Sequence, residues 1–384
     1  MQDPRLMMSD LSTMTNAARA FIDPEAMVHN IQVMRRKAPG SKVMTVVKSD
    51  GYGHGLTSVA TTLAPYSDAF GVARIEEALT LRQAGITLPI VLLEGFYEAD
   101  ELPLLVEHQL TATVHCDEQV AMLTQATLSS PLSVWLKVDS GMHRLGFEPD
   151  QVPGALFALH ACDNVAPEIG YLSHFGCADE MDNPITQAQI DTFSRVTEGL
   201  PGERSLAASS GTLFWPQSHF DWVRPGICLY GISSRIELTG DALGLKPAMR
   251  LTSRVMAVRR LKAGEPVGYG ARWRSSRDTL IGVIAIGYGD GYPRSAPDGT
   301  PVWLNGREVP LAGRVSMDMI TVDLGPDATD KVGDEAVLWG PELPVERIAR
   351  LVDTIGYELV CQVTGRVPRQ YLTNPSPRGV SETQ

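Results

Sequence analysis

Between about residue 20 and residue 245 the chain alternates short apolar runs with segments of helical period, and this constrains its fold more than any other feature. The runs include residues 42–47, 69–73, 90–93, 112–115, 134–138, 169–173, 205–208 and 222–229. Helix-like segments such as 76–83, 119–125, 152–160 and 186–198 lie between them. Short runs rich in Val, Ile and Leu, bounded by helical pattern, read as strands buried on both faces of a parallel sheet. Eight such units in that span fit a TIM-type (β/α)₈ barrel, whose usual size is about 250 residues. An open, doubly wound sheet is the alternative assembly of the same units.

The pattern changes after Leu245. Residues 248–261, 279–286, 301–304, 308–315, 320–324 and 335–338 are strand candidates with almost no helix between them. Asn305-Gly306, set between apolar runs, is a two-residue hairpin signal. The reading is therefore an α/β barrel over 17–245 and a mainly β domain over 246–375. Two domains also suit a chain of 384 residues, since single cores stop growing near about 250–300.

A net charge of −12 argues against nucleic acid or an anionic membrane surface as partner, because both require a basic face. No run of 18 apolar residues occurs, and residues 1–16 carry neither a basic n-region nor an apolar h-region, so a cytoplasmic location is expected. Cys116, Cys162, Cys177, Cys228 and Cys361 are odd in number and lack paired metal-ligand spacing, which reads as reduced thiols and no metal site. Residues 374–384 are polar and proline-bearing and read as a frayed tail.

The chemistry concentrates in Val43-Met44-Thr45-Val46-Val47-Lys48-Ser49-Asp50-Gly51-Tyr52-Gly53-His54-Gly55. A lysine at the carboxyl end of a buried strand stands where α/β barrels keep their active sites. An amine desolvated there is available for Schiff-base formation. A lysine snorkelling to solvent is the plainer reading of the strand end alone, but three glycines around a tyrosine and a histidine suit a backbone bent closely about a ligand.

This segment resembles the pyridoxal-phosphate signature of the alanine racemases. Further segments similar to that family follow in its order from about Ala20 to Tyr371. They are Trp135–Phe147, Tyr171–Glu180, Ala208–Thr212, Val223–Ile227, Val267–Arg272, Ser316–Asp318 and Gly356–Glu358. The resemblance implies pyridoxal 5'-phosphate as cofactor, with Lys48 its Schiff-base lysine and the base on the D-side. It implies that Tyr52, Ser210, the Gly226 and Ile227 amides and Tyr357 meet the phosphate. Ser209 stands where many members have asparagine and carries over only weakly. His174 would pack over the pyridine ring, and Leu172 replaces a tyrosine of some members. Arg224 would pair with the ring nitrogen. A guanidinium does not give up its proton, so that nitrogen would stay unprotonated and side transamination would be restrained.

By the same resemblance Arg144 contacts the cofactor's phenolic oxygen and the substrate carboxylate. Lys137 is either a carbamate (N6-carboxylysine) orienting Arg144 or an unmodified, ion-paired lysine. Tyr269 is the second base, on the L-side, and the Met317 amide receives the substrate carboxylate. Tyr288, Arg294, Asp179 and Arg314 are candidates for a substrate corridor. The implied activity is interconversion of L- and D-alanine, supplying D-alanine for peptidoglycan, by a homodimer with shared sites. Racemisation of serine or another amino acid, a non-catalytic cofactor-binding barrel and a decarboxylase are the rival readings. Arg224 opposes the decarboxylase, because such enzymes usually set a carboxylate there. The β domain with Tyr269 opposes the bare barrel.

Overall fold

Eight parallel strands close on themselves, which excludes the open sheet. The structure is a computed structural model and describes residues 17–372; the expectations for residues 1–16 and 374–384 lie outside that range. After strand β1 (Arg19–Ile22) and helix Pro24–Lys37 come β2 (Lys42–Val46), β3 (Ala69–Val72), β4 (Ile90–Leu92), β5 (Leu110–Val114), β6 (Leu132–Lys137), β7 (Val165–Leu172), β8 (Arg204–Ala208) and β9 (Trp222–Arg224). Strands β2 to β9 form the barrel in sequence order, and β9 closes onto β2 through Lys42↔Trp222 and Val43↔Val223. The apolar run expected over 222–229 ends as a strand at Arg224. Pro225 can donate no ladder hydrogen bond, and Ile227–Tyr230 turns into a 3₁₀ helix instead.

Met44, Ala69, Val91, Trp135, Leu172 and Trp222 form one buried cluster contributed by six of the barrel strands. The two tryptophans meet edge to face at 6.2 Å, a favoured aromatic geometry. Gly170 makes this possible, because a Cβ there would stand 2.7 Å from the Trp135 ring. Side chains, not water, therefore fill this part of the barrel, as is usual for the fold.

The second unit is organised by β10 (Met249–Leu261). This long strand pairs antiparallel with β1, with β13 (Thr279–Ile284) and with β17 (Glu335–Trp339). Strands β14 (Pro301–Leu304) and β15 (Arg307–Pro310) form the expected hairpin, with Asn305 and Gly306 at φ 47° and 82°. That pair of positive angles makes the tight turn that matches strand twist. β16 (Ile320–Gly325) pairs with β13, β18 (Arg369–Tyr371) runs parallel to β1, and the short β11 (Pro266–Val267) and β12 (Trp273–Arg274) pair antiparallel with each other.

One compact unit comprises Glu25–Pro247 with Ile355–Cys361, and the other takes residues 17–24, Ala248–Thr354 and 362–372. Residues 19–22, read as barrel from the sequence, thus pair in the β unit, while residues 355–361 cluster with the barrel. Among the described residues no helix is long and apolar enough to cross a membrane. No group of metal-ligating side chains occurs among them either.

Candidate active site

The backbone after β2 does something its sequence only partly announces. Val47 N–H still donates to Gly71 O at 2.9 Å. Then Ser49, Asp50, Gly51, Tyr52 and Gly53 run in succession at φ 55°, 54°, 60°, 52° and 76°, a turn of left-handed helix. Gly51 N–H donates to Val47 O and Gly53 N–H to Ser49 O, both at 2.9 Å. Each non-glycine residue in that conformation costs about 1–2 kcal/mol, so the turn must be held from outside. Asp50 Oδ1 accepts from Leu56 N–H at 2.8 Å, and Glu77 Oε1 accepts from Ser49 N–H at 2.6 Å. The turn brings Lys48 and Tyr52 to one cavity.

That cavity, about 610 Å³, opens beyond the carboxyl ends of the barrel strands. Lys48 and Tyr52 follow β2, Lys137 ends β6, and Leu172 and His174 end and follow β7. Ser209 follows β8, Arg224 ends β9, and Gly226 and Ile227 come next. Arg144 reaches it from the loop after β6, a loop whose Gly141, Met142 and His143 amides all donate to Asp139 Oδ1 at 2.9–3.1 Å. Tyr357 and Cys361, from the helix Gly356–Gln362, complete the lining.

The charge balance is lopsided: Lys48, Lys137, Arg144 and Arg224 face a single lining carboxylate, Glu94. Buried Arg224 gives one hydrogen bond to Ser205 Oγ at 2.6 Å and others to the Ser173 and Leu206 carbonyls. Among the described residues it has no carboxylate partner. Burial draws it down to about 10, which still leaves it charged at neutral pH. Lys137 is also buried, and desolvation followed by repulsion from Arg224 and Arg144 lowers its amine to about 8. Burial and the same cations hold His174 well below the ordinary imidazole range, so it is neutral. Burial holds the Tyr52 and Tyr357 phenols well above theirs, so both remain hydrogen-bond donors. Their rings lie 6.2 Å apart, and Tyr52 also packs on Tyr230 at 4.9 Å.

Of the expected site residues, Lys48, Tyr52, Lys137, Arg144, His174, Arg224, Gly226, Ile227 and Tyr357 all line this one cavity. Ser210 does not: its hydroxyl donates to Ser234 Oγ at 2.8 Å. The neighbouring Ser209 lines the cavity in its place, and its Oγ accepts from Gly226 N–H at 3.0 Å. Consecutive residues at the start of the helix Ser209–Phe214 point about 100° apart, so only one of the pair faces inward. Leu93, Glu94 and Cys361 were missed by the sequence reading. The first two sit just past the end of β4, a position that marks functional residues in any barrel; no comparable signal marks Cys361.

Tyr269 and Met317 belong to the β unit and lie on its surface, 69% and 52% exposed. Tyr269 opens a 3₁₀ turn between Gly268 and Gly270, both at φ 75°. The Met317 loop is tied to the 287–290 segment, since Tyr288 N–H donates to Ser316 O and Gly289 N–H to Met317 O. Arg366 adds ion pairs to Asp318 at 2.7 Å and Asp290 at 3.4 Å. Of the corridor candidates, Arg294 and Tyr288 are exposed and Arg314 half-buried in this unit, and Asp179 is exposed on the barrel unit.

Comparison with known proteins bears on this arrangement. The family described as alanine racemase, N-terminal domain, matches residues 22–234, and alanine racemase, C-terminal domain, matches residues 248–371. The chain is 60% identical over 355 residues to the alanine racemase of Vibrio parahaemolyticus, covering 92% of this chain and 99% of that protein. It is 58% identical to one from Vibrio vulnificus, covering 97% and 100%. The crystal structure of the biosynthetic alanine racemase from Pseudomonas aeruginosa superposes with a TM-score of 0.91. Identity there is 44%, covering 94% of this chain and all of that one.

Proposed function

Because the chain belongs to the alanine racemase family, we propose that it interconverts L- and D-alanine with pyridoxal 5'-phosphate, by a two-base mechanism. The observation that carries this reading is the one cavity onto which both Lys48 and Arg224 open, an arginine with no carboxylate partner among the described residues. The residues present fit the cofactor. A Cβ on Gly226 would stand 2.4 Å from Tyr52 Oη, so a backbone without side chain is needed where that hydroxyl turns inward. Neutral Tyr52 and Tyr357 phenols are donors suited to a phosphate, and the surplus of cations favours an anionic guest.

Pyridoxal phosphate, when bound, withdraws electrons from the substrate α-carbon and makes its proton removable. The chain supplies everything else. Lys48 would hold the cofactor through Nζ and would move the substrate α-proton on the D-side. Tyr269 Oη handles it on the L-side. Arg144 and the Met317 amide bind the substrate carboxylate. Tyr52, Tyr357 and the 209–210 and 226–227 turns would hold the phosphate, with Ser209 now the better candidate for the hydroxyl contact. His174, a neutral imidazole lining the cavity, would pack against the cofactor ring. Arg224, which stays charged, would pair with the ring nitrogen and leave it unprotonated. The Lys137 amine, lowered to about 8, loses its proton more readily than an ordinary lysine and in that form would take up carbon dioxide as a carbamate whose negative charge orients Arg144.

The same reading makes the enzyme a cytoplasmic homodimer in which the barrel of one subunit works with the β unit of the other, supplying D-alanine for peptidoglycan. A racemisation assay of cofactor-loaded protein across L-alanine, L-serine, L-lysine and L-arginine tests the activity. Alanine is expected to turn over fastest. No racemisation of alanine would end this reading, and faster turnover of serine or a basic amino acid would redirect it.

A further inference from the structure

We propose that Glu77 is a positioning residue for Lys48: its carboxylate holds the backbone of the left-handed turn that begins directly after the lysine, and so aims Lys48 and Tyr52 into the cavity. The inference rests on the reading of Lys48 as the cofactor-bearing residue.

Glu77 is the third residue of the helix Ile75–Gln83. There its Oε2 accepts from the Ala73 and Arg74 amides at 2.9 and 3.3 Å, which is the ordinary work of a glutamate at a helix start. Its Oε1 leaves its own helix and accepts from Ser49 N–H at 2.6 Å. That amide lies at the head of a turn with Ser49, Asp50 and Tyr52 all in the left-handed region, a conformation those residues do not keep unaided. One carboxylate thus ties the loop after β3 to the loop after β2, through charge-assisted bonds of the stronger kind. Glutamine has nearly the same shape but only one acceptor oxygen. Its amide nitrogen must face either Ser49 N–H or the Ala73 and Arg74 amides, donor against donor. Aspartate is one methylene shorter and cannot serve both sides.

The full-length Glu77→Gln and Glu77→Asp variants test this against the parent. The first measurement is hydrogen exchange over residues 48–53 in cofactor-free protein. The second is the rate at which added pyridoxal phosphate becomes borohydride-fixed to Lys48. With the circular dichroism spectrum unchanged, exchange in the turn is expected to rise about tenfold and attachment to slow about tenfold, the loss of one charge-assisted bond. If exchange rises only over residues 73–78 and attachment is unaltered, Glu77 is no more than a helix cap and the proposal is overturned. Parental values for both measurements in Glu77→Gln overturn it equally. Should one variant fail to fold, the other carries the comparison. If the parent itself takes no label at Lys48, the reading of the lysine fails, while the exchange comparison, which needs no cofactor, still decides what Glu77 holds.

Discussion

Gly53 lies directly against the backbone of Val360: a Cβ on the glycine would stand 2.0 Å from the Val360 carbonyl oxygen. The last glycine of the left-handed turn thus serves two ends. It takes the positive φ of 76°, and it lets the segment bearing Tyr357 settle onto the turn bearing Tyr52.

Gly53→Ala separates these contributions when set beside Gly85→Ala. Gly85 has a comparable φ of 85° but open space around it. Both substitutions should cost about 1 kcal/mol for the backbone conformation. Gly53→Ala should lose at least about 2 kcal/mol more in denaturant unfolding and bind pyridoxal phosphate more weakly, because overlap with backbone has no soft way out. Equal losses would mean that the helix at Val360 yields freely.

Lys137 offers a pH-dependent prediction. Its folded-state value of about 8 lies below the ordinary lysine value of 10.5, so the unfolded chain holds the proton more tightly. The charged amine therefore lowers stability below about pH 8, by something on the order of 3 kcal/mol, and that cost disappears as pH rises through 10.5. In protein freed of carbon dioxide, Lys137→Met should be the more stable at pH 7, with the advantage fading by pH 10. The neutral amine is also the form that adds carbon dioxide. With ¹³C-bicarbonate at about pH 8 the parent should give one carbamate carbon resonance, and Lys137→Met none; a parent without that resonance would leave Lys137 an ordinary lysine.

The two proposed bases differ in what their loss removes. Borohydride should fix the cofactor to Lys48, and Lys48→Ala should abolish covalent attachment. Tyr269→Ala should keep the bound cofactor and lose exchange of the L-alanine α-proton with solvent, by about 10²-fold or more for loss of a general base. Parental exchange in Tyr269→Ala would rule out the tyrosine as the L-side base.

Subunit mixing tests the shared site. Lys48 lies in the barrel unit and Tyr269 in the β unit. Inactive Lys48→Ala and inactive Tyr269→Ala, mixed under exchange conditions, should recover activity, because each heterodimer then holds one intact site and one site with both lesions. A mixture that stays inactive would assign each site to a single chain.

Much of the fold was legible because it is written locally. Alternating apolar runs and helical segments mark βα units, and a lysine at a strand's end marks the functional rim, both through periodicities of a few residues. The ordered motifs likewise identified nearly every residue lining the cavity. Choosing between Ser209 and Ser210 was beyond that reading, since adjacent residues differ only in which way the helix start turns them.

What the sequence determined by itself was the set of βα units and the residue types gathered at the carboxyl ends of their strands; that the eight strands close into a barrel and not an open sheet was decided by the tertiary structure. Tertiary structure alone decided that Arg19–Ile22 is held between β10 and β18, more than 200 residues away. It also decided that residues 355–361 return to the barrel unit, and that the residues after Lys48 coil left-handed. The physical reason is common to all three. Each conformation depends on partners distant in the chain, and for the turn local preference points the other way; no pattern within a short window encodes the Glu77 carboxylate that accepts from its first amide, or the Val360 carbonyl that Gly53 must leave room for.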